Sequence, residues 1–291
     1  IGSIYNARGD YDKALEWLEK SLRIAEEIGD KASLAKTYNG IGSIYNARGD
    51  YDKALEWLEK SLRIAEEIGD KASLARAYNN IGLIRNAKGD YEKALDWFEK
   101  SLKISEEIGD RAGLVATYNN IGGIYHSRGD YDKAFEWYER SLKIKEEIGD
   151  RAGMAMTYNN IGGIYHSRGD YDKAFEWYER SLKIKEEIGD RAGMATTYNN
   201  IGGIYKARGD YDKALEWYEK DLKISEEIRD RAGLAAMYSN IGGIYKARGD
   251  YDRALEWGEK SLKIAEEIGA ATTVELVKKN LEDLQKKKKQ N

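Results

Sequence analysis

Apolar residues along this chain of 291 residues fall into two helical stripes, and the pair of stripes recurs every 40 residues. In residues 151–190, Met154, Tyr158, Ile161, Ile164 and Tyr165 keep the helical spacing and predict one helix from Arg151. Tyr171, Ala174, Phe175, Tyr178, Leu182 and Ile188 predict the buried face of a second. Gly169 and Gly189 stand where the stripes stop, and Asp150, Asp170 and Asp190 where helices begin. Glycine accepts the left-handed conformation that ends a helix, and an aspartate side chain accepts hydrogen bonds from first-turn N–H groups. The Gly-Asp pair is therefore expected punctuation, used twice per unit. A first helix of about 18 residues spans roughly 27 Å.

Six full units run over 31–70, 71–110, 111–150, 151–190, 191–230 and 231–270, and residues 1–30 repeat 41–70 without a difference. Units 111–150 and 151–190 differ only at Leu114/Met154, Val115/Ala155 and Ala116/Met156. Such near-identity leaves two origins open, recent duplication and engineering. A helix pair this short cannot bury its apolar face alone, so each unit must stack on its neighbours. The expected fold is all-α, an α-solenoid of about 15 helices in antiparallel pairs. Its tandem array occupies 1–270, with a partial repeat at 1–30 and full repeats over 31–270. Beyond it, Val274, Val277, Leu281 and Leu284 predict a capping helix over 271–285, and KKKKQN at 286–291 reads as a basic, disordered tail. At Ile1 the first helix is cut in half, which suggests either truncation or an end open to end-to-end self-association.

Composition agrees with helix throughout. Proline is absent, so nothing in the chain must break a helix. The net charge is −4; residues 271–291 carry six Lys against three acids, which leaves about −7 on residues 1–270. Neither part has the strong basic excess of a nucleic-acid binder. The absence of cysteine excludes disulfides and thiolate metal sites. No run of about 18 apolar residues predicts a membrane-spanning helix, so no membrane partner is expected. The chain begins inside a motif and leaves a signal peptide undecided; the cytoplasm is the expected compartment.

Tyr118, Ile121, Gly122, Tyr125, Ala134 and Tyr138 hold a spacing found in every unit. It resembles the signature of the tetratricopeptide repeat, W-x2-L-G-x2-Y followed by A-x3-F. The final proline of that signature is missing, and the unit has 40 residues instead of 34. The A-x-x-Y-N-N-I-G opening and the E-E-I-G-D-R-A-G joint make it similar to the longer repeats of Pins/LGN scaffolds and kinesin light chains. The resemblance implies a right-handed superhelix, first helices lining a concave groove, and binding of peptides or extended segments there.

Several motifs invite a chemical reading that their context weakens. Arg-Gly-Asp, as at Arg128 to Asp130, spans an expected helix-to-helix turn rather than an extended loop. Asp170-Tyr171-Asp172 lacks the twelve-residue ligand spread of an EF-hand, and acids in a first turn suit the helix dipole. One Trp per unit, from Trp17 to Trp257, fits packing better than a cofactor site. No Walker, nucleophile-elbow or HExxH motif occurs, so neither catalysis nor a cofactor is expected. His126 and His166 have no cysteine or third ligand to make a metal site.

Polar residues expected on the groove face are more informative. One slot reads Asn6, Asn46, Asn86, His126, His166, Lys206 and Lys246. Another reads Lys36, Arg76, Ala116, Met156, Thr196 and Ala236, and Gly123, Gly163, Gly203 and Gly243 leave room beside them. Paired asparagines recur at Asn79 and Asn80, Asn119 and Asn120, Asn159 and Asn160, and Asn199 and Asn200, with Asn39 and Asn240 as half pairs. A carboxamide both donates and accepts, so a column of them matches a peptide backbone. The competing reading has one Asn of each pair bonding adjacent units. Cations near both ends of the face suit an acidic or carboxylate-bearing segment.

The expected function is thus a non-enzymatic scaffold for protein–protein interaction that binds an extended peptide or partner segment. The alternatives are a passive, engineered or self-stacking array without ligand, and the sensor region of a larger signalling ATPase.

Overall fold

The structure, a computed structural model, describes residues 10–290, with side chains as far as Lys288. The half helix expected at the start, together with Asn6, lies outside the described residues. Among these there are fourteen α-helices, and they alternate as the stripes predict. The second helices are α1 (Tyr11–Ile28), α3 (Tyr51–Ile68), α5 (Tyr91–Ile108), α7 (Tyr131–Ile148), α9 (Tyr171–Ile188), α11 (Tyr211–Glu227) and α13 (Tyr251–Glu267). The first helices are α2 (Lys31–Ala47), α4 (Lys71–Ala87), α6 (Arg111–Ser127), α8 (Arg151–Ser167), α10 (Arg191–Ala207) and α12 (Arg231–Ala247), followed by α14 (Ala271–Gln290).

The joints form for local reasons. At the end of α3, Gly69 takes φ +68°, and the Asp70 N–H reaches back to Ala65 O at 2.9 Å. Asp70 Oδ1 then accepts from Ser73 N at 3.0 Å and opens α4. These bonds give partners to backbone groups that a helix end leaves over. One joint departs from the pattern: Arg229 stands where the others have glycine and is held at φ +58°. A side chain in that region is strained against its own backbone.

The Arg-Gly-Asp turns use all three residues. Gly49 sits at φ +79° and Asp50 precedes α3, while Arg48 pairs with Asp12, 36 residues back. The same ion pair recurs as Lys88–Asp52 at 2.7 Å, Arg128–Glu92 at 2.6 Å, Arg208–Asp172 and Arg248–Asp212. An exposed pair contributes less than about 1 kcal/mol, so its effect is on register more than on stability.

The chain divides into two compact units, Ile1–Ile148 and Gly149–Asn291. In the first, α2 touches α4 and α4 touches α6; in the second, α8 touches α10. Within each unit these first helices therefore neighbour one another, and each packs most closely against the second helix that follows it. The core of each repeat is a close approach at the signature glycine. A Cβ on Gly82 would come within 2.6 Å of the Phe98 ring, one on Gly162 within 2.6 Å of Tyr178, and one on Gly202 within 2.4 Å of Tyr218. Trp137 packs on a cluster shared by two repeats, Ala94, Phe98 and Leu102 of one and Ile121 and Ile124 of the next, and lies 5.5 Å from Tyr118.

Two expectations change. Ile188 is 42% exposed, because it lies in the last turn of α9 beside an exposed joint; Ser181, Ile184 and Lys185 are buried instead. The terminal helix does not stop at 285 but runs through Gln290. Its basic end is held in register by Lys288, which pairs with Asp252, again 36 residues back. Val277, Leu281 and Leu284 are buried as the stripe predicts, and Leu281 comes within 2.6 Å of where a Cβ on Gly258 would stand. Gly258 occupies the register of Phe98 and Tyr178, and a leucine from α14 lies against its bare backbone instead.

Alanine favours helix over glycine by about 1 kcal/mol, yet Gly162→Ala should lower stability by about 1–3 kcal/mol through overpacking against Tyr178. Arg229→Gly should raise it by about 1 kcal/mol. Urea midpoints followed by circular dichroism check both signs, and a stabilised Gly162→Ala would contradict the packing account.

Candidate binding face of the first helices

In both units the first helices expose one set of side chains and bury or half-bury another. Lys36, Arg76, Ala116, Met156, Thr196 and Ala236 are all exposed, Met156 to 61%. Beneath them the asparagines bond from repeat to repeat. Asn80 Nδ2 donates to Asn39 Oδ1 at 2.6 Å, Asn120 to Asn79 at 3.0 Å, Asn200 to Asn159 at 3.2 Å and Asn240 to Asn199 at 3.0 Å. In the pairs Asn79 and Asn80 and Asn199 and Asn200 both members take part, the second as donor and the first as acceptor, whereas Asn120 and Asn159 act alone in theirs. The contact between repeats is thus made by the carboxamides that suggested a peptide grip. Each bond engages the nitrogen end of one amide and the oxygen end of the other. The amide nitrogens of Asn79, Asn159 and Asn199 and the oxygens of Asn80, Asn120, Asn200 and Asn240 make no bond among the described residues.

Two clefts gather most of the expected residues. In the first unit, Asn39, Arg76, Asn79 and Asn80 line a cavity of about 160 Å³ whose floor includes Ser105 and Asp110. In the second, His166 of α8, Asn199, Asn200 and Lys206 of α10, and Asn240 of α12 line a cleft of about 490 Å³. The His166 imidazole lies 5.6 Å from the Tyr171 ring, and its Nε2 is buried without a hydrogen-bond partner. Tyr178 and Tyr218 line the same cleft, their phenols pushed up to about 12 by burial, with Asp221 adding to the push on Tyr218. They stay neutral at any ordinary pH.

The remaining expected residues lie elsewhere. Lys36 is exposed and lines neither cleft; Asn119, Asn120, Asn159, Asn160 and His126 are half-buried on α6 and α8 and line neither. Asn119 Oδ1 is buried without a partner, and the His126 ring stacks 5.8 Å from Tyr131. Lys246 bonds Asp283 of α14 at 2.8 Å, so its charge is matched within the chain rather than held for a ligand. Among the described residues no group of three or more His, Asp or Glu side chains could hold a metal ion.

Three buried polar side chains escaped the sequence reading, since Lys and Asp ordinarily mark a solvated face. Lys145 and Lys185 are 3% and 4% exposed, where other repeats have Ala65 or Ser105. Lys185 Nζ donates to Thr197 Oγ1 at 2.8 Å and Gly193 O at 3.1 Å; burial pulls its pKa down while Asp190 pushes it up. Asp221 replaces a serine of the other repeats, among them Ser61, Ser181 and Ser261, which donate to Ala35 O, Ala155 O and Ala235 O. A carboxylate cannot donate. Asp221 accepts from Ser225 Oγ at 2.8 Å, and burial raises its pKa to about 6 against that bond, with Asp230 adding to the rise. Asn280 of α14 lies in the register of Asn240 and lines a further cleft of about 250 Å³ with Lys206 and Lys246.

The sequence pattern of the tetratricopeptide repeat matches residues 1–67, 73–147, 113–187, 153–227 and 193–267. The chain belongs to the tetratricopeptide repeat family. Among solved structures, this tetratricopeptide repeat chain is similar to BtubC (BKLC) from P. vanneervenii, with 25% identity, TM-score 0.64, and 75% of this chain and 91% of that one covered. A signal transduction ATPase with numerous domains and a tetratricopeptide repeat sensor, from Pyrococcus horikoshii, aligns at 23% identity and TM-score 0.70 over 96% of this chain and 43% of its own. The Rap conjugation gene regulator of plasmid pLS20, in complex with the Phr* peptide, aligns at 17% identity and TM-score 0.68 over 93% of this chain and 73% of its own. No curated protein matches the sequence.

Asp221 gives the array a pH dependence of definite sign. Its pKa is higher folded, about 6, than the 3.8 of a free side chain, so the stabilising state is the protonated one. That contribution is complete below pH 4 and is lost as pH rises through 6, by up to about 3 kcal/mol. Asp221→Ser, which restores the residue of the other repeats, should stabilise the chain at pH 8 far more than at pH 4. Equal gains in urea midpoint at the two pH values would refute this.

Proposed function

We propose that this chain is a non-enzymatic interaction module that binds an extended peptide or partner segment along its first helices. The observation that carries the reading is the arrangement of the carboxamides: each repeat-to-repeat bond leaves a donor and an acceptor on the same face, at one repeat's spacing. An extended backbone offers alternating acceptors and donors to such a column. Lys206, Arg76 and Lys36 favour a segment with acidic residues, while Lys246, already matched by Asp283, adds little. The Phr* peptide complex of a structural neighbour is in line with this use of the fold. So is the resemblance of the 40-residue unit to the repeats of kinesin light chains and Pins/LGN scaffolds. Nucleic acid and membrane are not proposed as partners; no described helix is long and apolar enough to cross a membrane.

A second reading, a passive or self-stacking array, is favoured by the structural use of the asparagines and of the Arg-Gly-Asp arginines. The two readings separate experimentally. Peptides selected from a random library on the purified chain should lose about tenfold in affinity on Thr196→Arg or Lys206→Ala, with the thermal midpoint unchanged. If no selected peptide responds to either substitution, binding on this face is wrong. Mass that grows with concentration in light scattering would then support self-stacking.

A further inference from the structure

The cavity beside Asn79 is lined by a serine and a glycine that no other repeat combines with threonine. Its floor is Ser105 at the end of α5 and Gly113 at the start of α6, with Thr117 one turn further on. The same three positions hold Ala65, Ser73 and Ala77 in the preceding repeat, where the Ser73 hydroxyl occupies the space and donates to Asp70 Oδ2 at 2.7 Å. They hold Ser225, Gly233 and the buried Met237 near the other end. Ala25, Ser33 and Thr37 again place a hydroxyl there, donating to Asp30 Oδ2 at 2.6 Å, and in the last two, Lys145, Gly153 and Thr157 and then Lys185, Gly193 and Thr197, a lysine side chain runs through the position. Lys185 Nζ bonds Gly193 O and Thr197 Oγ1, with Asp190 close enough to favour the charged form.

Everything that holds the Lys185 ammonium has a counterpart around Ser105. Gly113 and Thr117 line the cavity, and Thr117 Oγ1 bonds Gly113 O at 2.9 Å as Thr197 Oγ1 bonds Gly193 O at 3.0 Å. Asp110 corresponds to Asp190. Its Oδ1 accepts from Gly113 N at 2.9 Å, but its Oδ2 lacks the hydroxyl that Ser73 gives Asp70 and has no partner among the described residues. Ser105 Oγ is fully buried without a hydrogen-bond partner and lies 2.9 Å from where a Cβ on Gly113 would be. Buried polar atoms of this kind are expected to be satisfied by something. At about 160 Å³ the cavity has room for about five water-sized atoms, the size of the outer part of a lysine side chain. It opens beside Ala116 and Arg76, both exposed on the first-helix face. The Arg76 charge stands in solvent at the rim, where salt screens it, whereas Asp110 is half-buried at the floor.

We infer that the cavity at Ser105, Gly113, Thr117 and Asp110 is a binding pocket for a primary alkylammonium group, the lysine side chain of a bound segment. The chain itself supplies the equivalent group two repeats later, through Lys185. As a lysine subsite the pocket deepens the peptide-binding reading and rests on it, but its affinity for a free amine does not.

The test uses the whole chain and n-butylammonium chloride as probe, followed by amide NMR shifts. Saturable shifts at Ser105, Gly113 and Thr117 are expected, at least tenfold weaker or lost with Ser105→Lys. That variant fills the pocket with the residue that Lys145 and Lys185 place at this position, and circular dichroism checks its fold. Should it fail to fold, Gly113→Ser, the residue of Ser33 and Ser73, closes the pocket from the other side and should abolish the shifts equally. Absence of saturable shifts in the unmodified chain overturns the proposal. So do equal shifts with 1-butanol, which indicate an apolar cavity, and shifts that survive in the folded variant. Because the probe is a free amine, binding of n-butylammonium without any selected peptide would leave the pocket standing and remove only the peptide reading.

Discussion

The contact on which each repeat depends is the one between a helical glycine and the side chain that lies against it. At Gly82, Gly122, Gly162 and Gly202 the backbone of a first helix is bare, and Phe98, Tyr138, Tyr178 or Tyr218 sits on it closer than any Cβ allows. This approach sets the separation of the two helices. The Ile121 and Ile124 type positions on either side of the glycine are buried as a consequence, and the next repeat's tryptophan closes the cluster. Where the ring is absent, at Gly258, Leu281 of α14 lies against the bare backbone of that glycine instead, and a Cβ on Gly242 would meet Ala254 O, Trp257 and Gly258 only at 3.3 Å or more. The terminal helix is therefore the first half of one more repeat, which explains why Lys288 finds Asp252 with the offset that Arg248 has to Asp212.

Stacking adds a second constraint, that polar groups buried between repeats must match. The array meets it with offsets that the sequence period fixes. Bonds 41 residues apart join asparagines on the first-helix face, and ion pairs 36 residues apart join the outer ends. Serines deep in the second helices donate to carbonyls 26 residues back. The asparagine bonds and the ion pairs link one repeat to the next, whereas the serine bonds tie together the two helices of one repeat, so a repeat is polar-complete only in the company of its neighbour.

What was legible in the sequence was what depends on neighbouring residues and on the period. The Gly-Asp joints, the helix pairs and the buried face of α14 follow from capping chemistry and a 3.6-residue phase, and the family follows from the signature positions. Ile188 was misplaced because periodicity gives a face but not the depth to which a neighbour covers it. Residues 286–290 read as a tail because four consecutive lysines look solvated; their registry with Lys246 and Arg248 becomes visible only when α14 is aligned as a repeat. Lys185 and Asp221 were hidden for the same reason, since a charged residue is assigned to the surface unless its partners are known. The asparagine column was seen, and so was the alternative of bonding between units, but the use of both members of the pairs Asn79 and Asn80 and Asn199 and Asn200 required coordinates.

The buried slot that holds Ala65, Ser105, Lys185 and Ser225 shows how variation among nearly identical repeats carries meaning. Its occupant grows as the residue eight positions later shrinks: alanine goes with Ser73, lysine and the other serine with Gly193 and Gly233. Volume is conserved across the contact, as close packing requires. Ser225 keeps to this rule because Met237 fills the remainder. At Ser105 the rule is broken: both partners are small and Thr117 adds no bulk, so a polar space remains where the packed core meets the exposed face. Drift in a packed core tends to be compensated nearby, since an uncompensated space lowers stability. A space with a half-buried carboxylate on its floor and an opening on the proposed binding face is more economically explained by an occupant than by lost packing.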